Sequence, residues 1–346
     1  MRFSKKENLC LKENNLYLQP QNFQYMRANF IRNILLVVIS ISVSLTSKGQ
    51  DASRVYIEPM GWSVGTSFGI SDMWGNVGTQ SVIAHYSNSK AFNKPCFIGG
   101  MFTRYTIHPC LAIRMQLNIG ALYSTDEWNL DLAKKATSQG DDAFQRYIRK
   151  QDALDYLAEV LTLVEFTPFR TNPESRMAHR HGQLYMGAGI GGFYFEPYST
   201  VGTSNTFVKT YNLHLEGQGW GPGYPASYSR FQPCVPLAVG YRWDLGMHFN
   251  LGIEYMWRMT FFGYLDGVSN SYIDPSSFAS HLSAHDAQIA LQMYDKTHLY
   301  NLGPPNVPGS QRGVASVNDS YSTVSLSLYY KVNNRRREWW HYHKNR

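Results

Sequence analysis

The stretch GWSVGTSFGI, residues 61–70, decides the fold. Gly61, Ser63, Gly65, Ser67 and Gly69 alternate with Trp62, Val64, Thr66, Phe68 and Ile70. A period of two sends the two sets to opposite faces of a β-strand. One face is bulky and mostly apolar; the other is almost bare. A soluble sandwich strand also alternates, but its second face carries polar side chains for water. A bare face suits the crowded interior of a narrow barrel, where small residues make room for a few large or paired ones.

The alternation recurs. Leu111, Ile113, Met115, Leu117, Ile119, Ala121 and Tyr123 alternate with Ala112, Arg114, Gln116, Asn118 and Gly120. Similar segments cover residues 159–166, 235–243, 249–260 and 323–331, with weaker versions at 97–105 and 184–195. With the opening stretch this makes eight segments, each about as long as the 9–11 residues a tilted strand needs to cross a bilayer. Trp62, Tyr123, Trp243 and Trp257 are the expected interfacial girdle. The connections at 107–110, 170–182 and 244–248 are shorter than their neighbours at 72–95, 124–156, 197–232 and 262–320. Short periplasmic turns and long outer loops mark outer-membrane barrels. The expected fold is therefore all-β: a transmembrane up-and-down antiparallel barrel of eight strands, spanning residues 51–332.

Charge and leader fit that reading. The chain has 32 Lys and Arg against 25 Asp and Glu, and charged residues are only 16% of it. Seven basic and two acidic residues precede residue 51, and five basic and one acidic follow Val332. The remaining body, with 20 basic and 22 acidic side chains, has no nucleic-acid footprint. Residues 34–45, ILLVVISISVSL, form an apolar run too short for a membrane helix of about 20 residues. With Arg27 and Arg32 before it, the run reads as the core of a cleavable signal peptide over 26–50. Residues 1–25 then read as an upstream extension, and 333–346 as a basic periplasmic tail.

Inward charges are costly unless paired. Alternation puts Arg114, Glu159, Glu165, Arg242, Glu254 and Arg258 on the inner face, and we expect them to form an ion network that fills the lumen. Asp274 and Pro275 suit the start of a helix on which His281 and His285, four apart, share one face. That pair lacks the glutamate of an HExxH site and reads as part of a surface helix in a long loop. His179 and His181 read as solvated, and Cys96, Cys110 and Cys234 as free thiols. A barrel enzyme would need a serine, histidine and acid set at the outer rim. His85, Ser87 and Ser89 supply types without an arrangement. No catalytic residues, cofactor or metal are expected.

One stretch goes further than alternation. GYLDGVSNSYIDP, residues 263–275, follows the strand IEYMWRMTF. Through Tyr264, Leu265, Asp266, Val268, Ser269, Tyr272, Asp274 and Pro275 it resembles the PorG-like outer-membrane barrels of Bacteroidota, which are associated with the type IX secretion system. Gly263 and Gly267 stand where that family carries acidic residues. LEGQG at 215–219, YSRFQPCVPLAVGYRW at 228–243, GGFYFEP at 191–197 and Gln311-Arg312-Gly313 extend the resemblance over residues 60–332. It implies a non-enzymatic integral component that contacts periplasmic ring proteins of the machinery, a lipoprotein among them. Outer-membrane lipid would be its other partner. The alternative is a small structural or adhesive barrel unconnected with secretion, or a lipid-modifying barrel enzyme. Arg335, Arg336, Arg337, Trp339 and Trp340 of the tail are of the types that anchor interfaces, and we expect them to bind the ring.

Overall fold

A computed structural model describes residues 61–78, 96–108, 110–168, 182–245 and 248–332. The signal segment, the tail with its five proposed contact residues, His85, Ser87, Ser89, His179 and His181 lie outside these.

Eight long strands make the wall: β1 (Gly61–Trp74), β2 (Phe97–His108), β3 (Leu111–Thr125), β4 (Asp152–Phe166), β5 (Gly182–Thr200), β7 (Phe231–Asp244), β8 (Phe249–Thr260) and β9 (Ser320–Lys331). The short β6 (Phe207–Lys209) extends the rim of β5. Each long strand pairs antiparallel with the next, β1 pairs with β9, and β4 pairs with both β3 and β5. The eight long strands therefore close on themselves without a free edge in the wall, which is what a membrane without hydrogen-bonding solvent demands.

The opening stretch behaves as its pattern requires. Gly65 lies in register between Phe102 and Tyr329, whose rings fill the lumen 5.7 Å apart. A methyl on Gly65 would overlap both side chains, so the bare positions are room for large neighbours. On the outside, Met101, Ile119 and Ile190 are each at least 70% exposed, a belt no soluble monomer would show to water. The exposed positions of β3, Leu111 to Ile119, rise about 26 Å along the strand. A tilt of about 40° shortens that to roughly 20 Å across the membrane, most of the roughly 25 Å apolar band of such barrels. Trp62 beside Tyr105 and Trp243 beside Tyr241 edge the belt at its short-turn end.

Tyr123 does not belong to the girdle. Beyond Ile119 the outward residues Ala121 and Tyr123 are buried, Tyr123 against Trp128 and Phe207. The strands outgrow the bilayer there, and folded loops cover their outer faces.

Candidate functional site

All six charges that alternation turned inward meet in the lumen. Arg114 reaches Glu254 at 2.7 Å and Glu165 at 3.3 Å. Arg242 reaches Glu165 at 3.1 Å, and Arg258 reaches Glu159 at 2.6 Å. The links cross the barrel from β7 and β8 to β3 and β4, so the network ties opposite walls together. Sequence reasoning missed Arg104, which donates to Glu165 at 2.7 Å. It also missed the phenols of Tyr185 and Tyr321, which donate to Glu254 and Glu159 at 2.9 and 2.7 Å. Among and above these charges, Leu122, Leu157, Leu161, Phe193, Phe195 and Met256 make an apolar cluster in the barrel. Charge pairs and hydrocarbon together pack the bore.

The long-loop end, which is the outer end by the asymmetry of these barrels, carries a folded cap. It contains α1 (Leu130–Ala133), α2 (Asp142–Arg149), α3 (Ser276–His281) and α4 (Ala284–Tyr294). Asp141 caps α2 by accepting from the Ala143 N–H, and Lys150 ends it in the left-handed region. Leu213, Leu215, Tyr272, Phe278, Met293 and Tyr294 give the cap a core of its own. Three ion pairs staple loops far apart in sequence: Arg149 to Asp126 at 2.8 Å, Arg312 to Glu216 at 2.7 Å and Lys296 to Asp152 at 2.5 Å.

The stretch 263–275 is the link between cap and lumen. Leu265 is fully buried in the apolar cluster, and Tyr264 stacks on Tyr228 at 5.0 Å. Asp266 accepts from the Val77 and Val268 N–H groups at 2.7 and 2.9 Å. Gly267 sits at φ +71°, where a β-carbon is strained, and a β-carbon on Gly263 would press on the Val317 carbonyl. Both glycines are thus needed by the path of the chain.

Carboxylates crowd this mouth. Asp155 is wholly buried with neither oxygen hydrogen-bonded, and Oδ1 of Asp319 is likewise unsatisfied. Burial pushes the Asp266 carboxyl up to about 6 despite its two N–H donors. Burial, and then the neighbouring Asp266, push Asp319 well above the ordinary carboxylate range.

The histidine pair is not on one helix face. Leu282 breaks the helix and Ser283 caps a second one, so His281 ends α3 while His285 begins α4. Pro275, not Asp274, occupies the cap position; Asp274 instead accepts from the Ser276 N–H. His281 stacks on Trp220 at 4.4 Å. Among the described residues no three His, Cys, Asp or Glu side chains converge as metal ligands, and Cys110 and Cys234 form no disulfide.

A closed eight-stranded antiparallel barrel with a lipid-facing belt and a filled bore defines an outer-membrane β-barrel protein. No protein-family model matches the chain, and no curated protein does. Among solved structures it is similar to Ail of Yersinia pestis, in complex with the heparin analogue sucrose octasulfate. That match has 10% identity and a TM-score of 0.31, covering 78% of this chain and 99% of that one. OprG of Pseudomonas aeruginosa is matched at 9% identity and a TM-score of 0.30, over 79% and 95% of the two chains. Neisserial surface protein A is matched at 11% and 0.28, over 78% and 97%. Likeness at this level extends to no ligand or activity.

Proposed function

We propose that this protein is a non-enzymatic, integral component of the type IX secretion machinery, exported by the signal segment at 26–50. On this reading it contacts the periplasmic ring, lipoprotein included, through its short turns and the tail after Val332. The carrying observation is the stretch 263–275. Its residues Tyr264, Leu265, Asp266, Val268 and Tyr272, which resemble the PorG-like barrels, are all buried where the cap enters the barrel mouth. The packed bore supports the same reading, because a barrel without an open channel would act through its surfaces.

Purification from native membranes is the test. Ring proteins should accompany the full-length chain, and truncation after Val332 should weaken that association while leaving heat-modifiable gel mobility intact. Full retention of the ring by the truncated barrel would move the docking surface to the short turns. No ring protein on the full-length chain would sink the proposal. Planar bilayers should show no stable conductance; reproducible large openings would make the protein a porin instead. A second reading, a structural or adhesive barrel, draws on the folded outer cap with its own core. Absence of the ring would favour it.

A further inference from the structure

The cap holds a polar cavity that neither the lumen network nor ring contact uses. Its volume is about 400 Å3, within the roughly 300–1,000 Å3 common for small-molecule sites. Asp142, Gln145 and Arg146 of α2 line one side, and Tyr272, Asn306 and Gln311 of the long last loop line another.

Charge balance limits what it can hold. Arg146, Arg149 and Arg312 all line the cavity. Each already has a carboxylate partner, Asp142 at 2.8 Å, Asp126 at 2.8 Å and Glu216 at 2.7 Å. Three positive charges meet three negative ones, so an anion or a cation would give up its hydration for no unbalanced counter-charge.

Hydrogen-bonding capacity of both signs remains. Arg146 is 8% exposed. Its Nε is held by Asp142 and its Nη1 by the carbonyls of Gly75, Asn76 and Gly78, which leaves Nη2 without a partner among the described residues. The Asn306 amide is oriented by donating to Asp295 at 2.9 Å and Thr297 at 3.1 Å, so its Oδ1 is left as an acceptor. Gln311 is exposed on the wall, and Ile148 and Val314 add apolar surface. A hydroxyl donates and accepts at one atom without charge, and a sugar ring carries several of them beside apolar C–H groups. The walls are also fixed in advance: the Arg146 contacts lock α2 to the start of the first loop, and Arg149 donates to the Arg312 carbonyl. Preorganised donors cost little ordering on binding.

We infer that this cavity is a receptor site that binds a neutral saccharide of one or two rings at the outer face of the cell. The inference is independent of the secretion reading.

Saturation-transfer NMR on the detergent-solubilised full-length barrel tests it, with glucose, galactose, N-acetylglucosamine and lactose as probes and glucuronate and inorganic phosphate beside them. At least one neutral sugar should receive transfer. Asn306→Ala combined with Gln311→Ala should weaken that sugar's binding roughly tenfold, about the worth of one or two hydrogen bonds. A β-carbon on Gly140, at the cavity wall, would meet nothing nearer than Ser138 at 3.9 Å. Gly140→Trp should therefore abolish transfer while leaving heat-modifiable mobility unchanged. Absence of transfer from all four neutral sugars overturns the inference. So does stronger transfer from glucuronate or tighter binding of phosphate, and so does transfer that both variants leave untouched.

Discussion

In the lumen, Glu165 serves three arginines, Arg104, Arg114 and Arg242, from three different strands. In the cap, Asp126 serves Arg149 alone and gives its remaining lone pairs to the Gly78 and Gln151 N–H groups, both at 3.0 Å. The lumen is short of carboxylates, four buried arginines to three glutamates; the cap mouth has carboxylates to spare, with Asp155 unsatisfied. A shortage makes each lumen carboxylate a shared joint between walls that the membrane already holds in place. A surplus makes the mouth a place where charge is suppressed. The difference separates what keeps the barrel closed from what keeps the cap seated.

The sharpest way to break this contrast is Glu165→Ala. It removes the carboxylate that three buried guanidinium groups share, with Glu254 paired to Arg114, and loss of a buried partner costs about 3–5 kcal/mol. Urea unfolding in lipid vesicles should show a loss of that size for the whole barrel. A loss below about 1 kcal/mol would mean that water reaches the network and that the lumen is not dry.

Asp126→Ala should act on the cap alone. Arg149 loses its two-pronged partner, and the Gly78 and Gln151 N–H groups lose their acceptor. Because the cap can open without unfolding the wall, we expect only about 2–3 kcal/mol, the order of a buried donor left unmet. Limited proteolysis should cut within 126–151 faster, while the unfolding midpoint of the barrel stays put. A shifted barrel midpoint would join the two regions into one cooperative unit.

The surplus of carboxylates sets a pH dependence. The folded Asp266 titrates at about 6 and Asp319 above its ordinary value of 3.8, so the folded cap holds protons that the unfolded chain releases. Their contribution is fully present below about pH 4 and is lost as pH rises through 6, and further as Asp319 ionises. The cap should thus resist urea better at pH 5 than at pH 8. Asp319→Asn, which keeps an uncharged side chain there, should flatten that dependence. Equal midpoints at the two pH values in the unsubstituted chain would refute the suppressed charge.

These regions also differ in how much of them the chain discloses. The wall and the network partners Arg114, Glu159, Glu165, Arg242, Glu254 and Arg258 were readable because a period of two assigns each residue a face. Arg104 escaped because Gly99 and Gly100 interrupt the alternation of its strand. The cap was opaque for another reason. Asp126 and Arg149 lie 23 residues apart, and Glu216 and Arg312 lie 96 apart, in loops that have no period to align them. Local signals reach only its short helices: Asp274-Pro275 before one, and Asp141, an N-cap ahead of DAFQRYIR, before another. Tyr123 shows where periodicity misleads: its face was right, but its surroundings are protein and not lipid.

The smallest effect tests the edge of the cap, at Lys150. This residue ends α2 at φ 57°, and its ammonium lies 3.3 Å from Glu127 and 4.4 Å from the Tyr147 ring centre. The ion pair is worth about 0–1 kcal/mol because Glu127 is more than half exposed. The ring contact adds roughly 0.5–1 kcal/mol. Against them stands a left-handed backbone that costs a non-glycine residue about 1 kcal/mol. Lys150→Gly removes both contacts and the strain together, so the cap's urea midpoint should hardly move. Lys150→Ala removes the contacts and keeps the strain, so it should lower cap stability by about 1 kcal/mol. If the glycine variant proves as unstable as the alanine one, the contacts outweigh the backbone, and the end of α2 is held by its side chain.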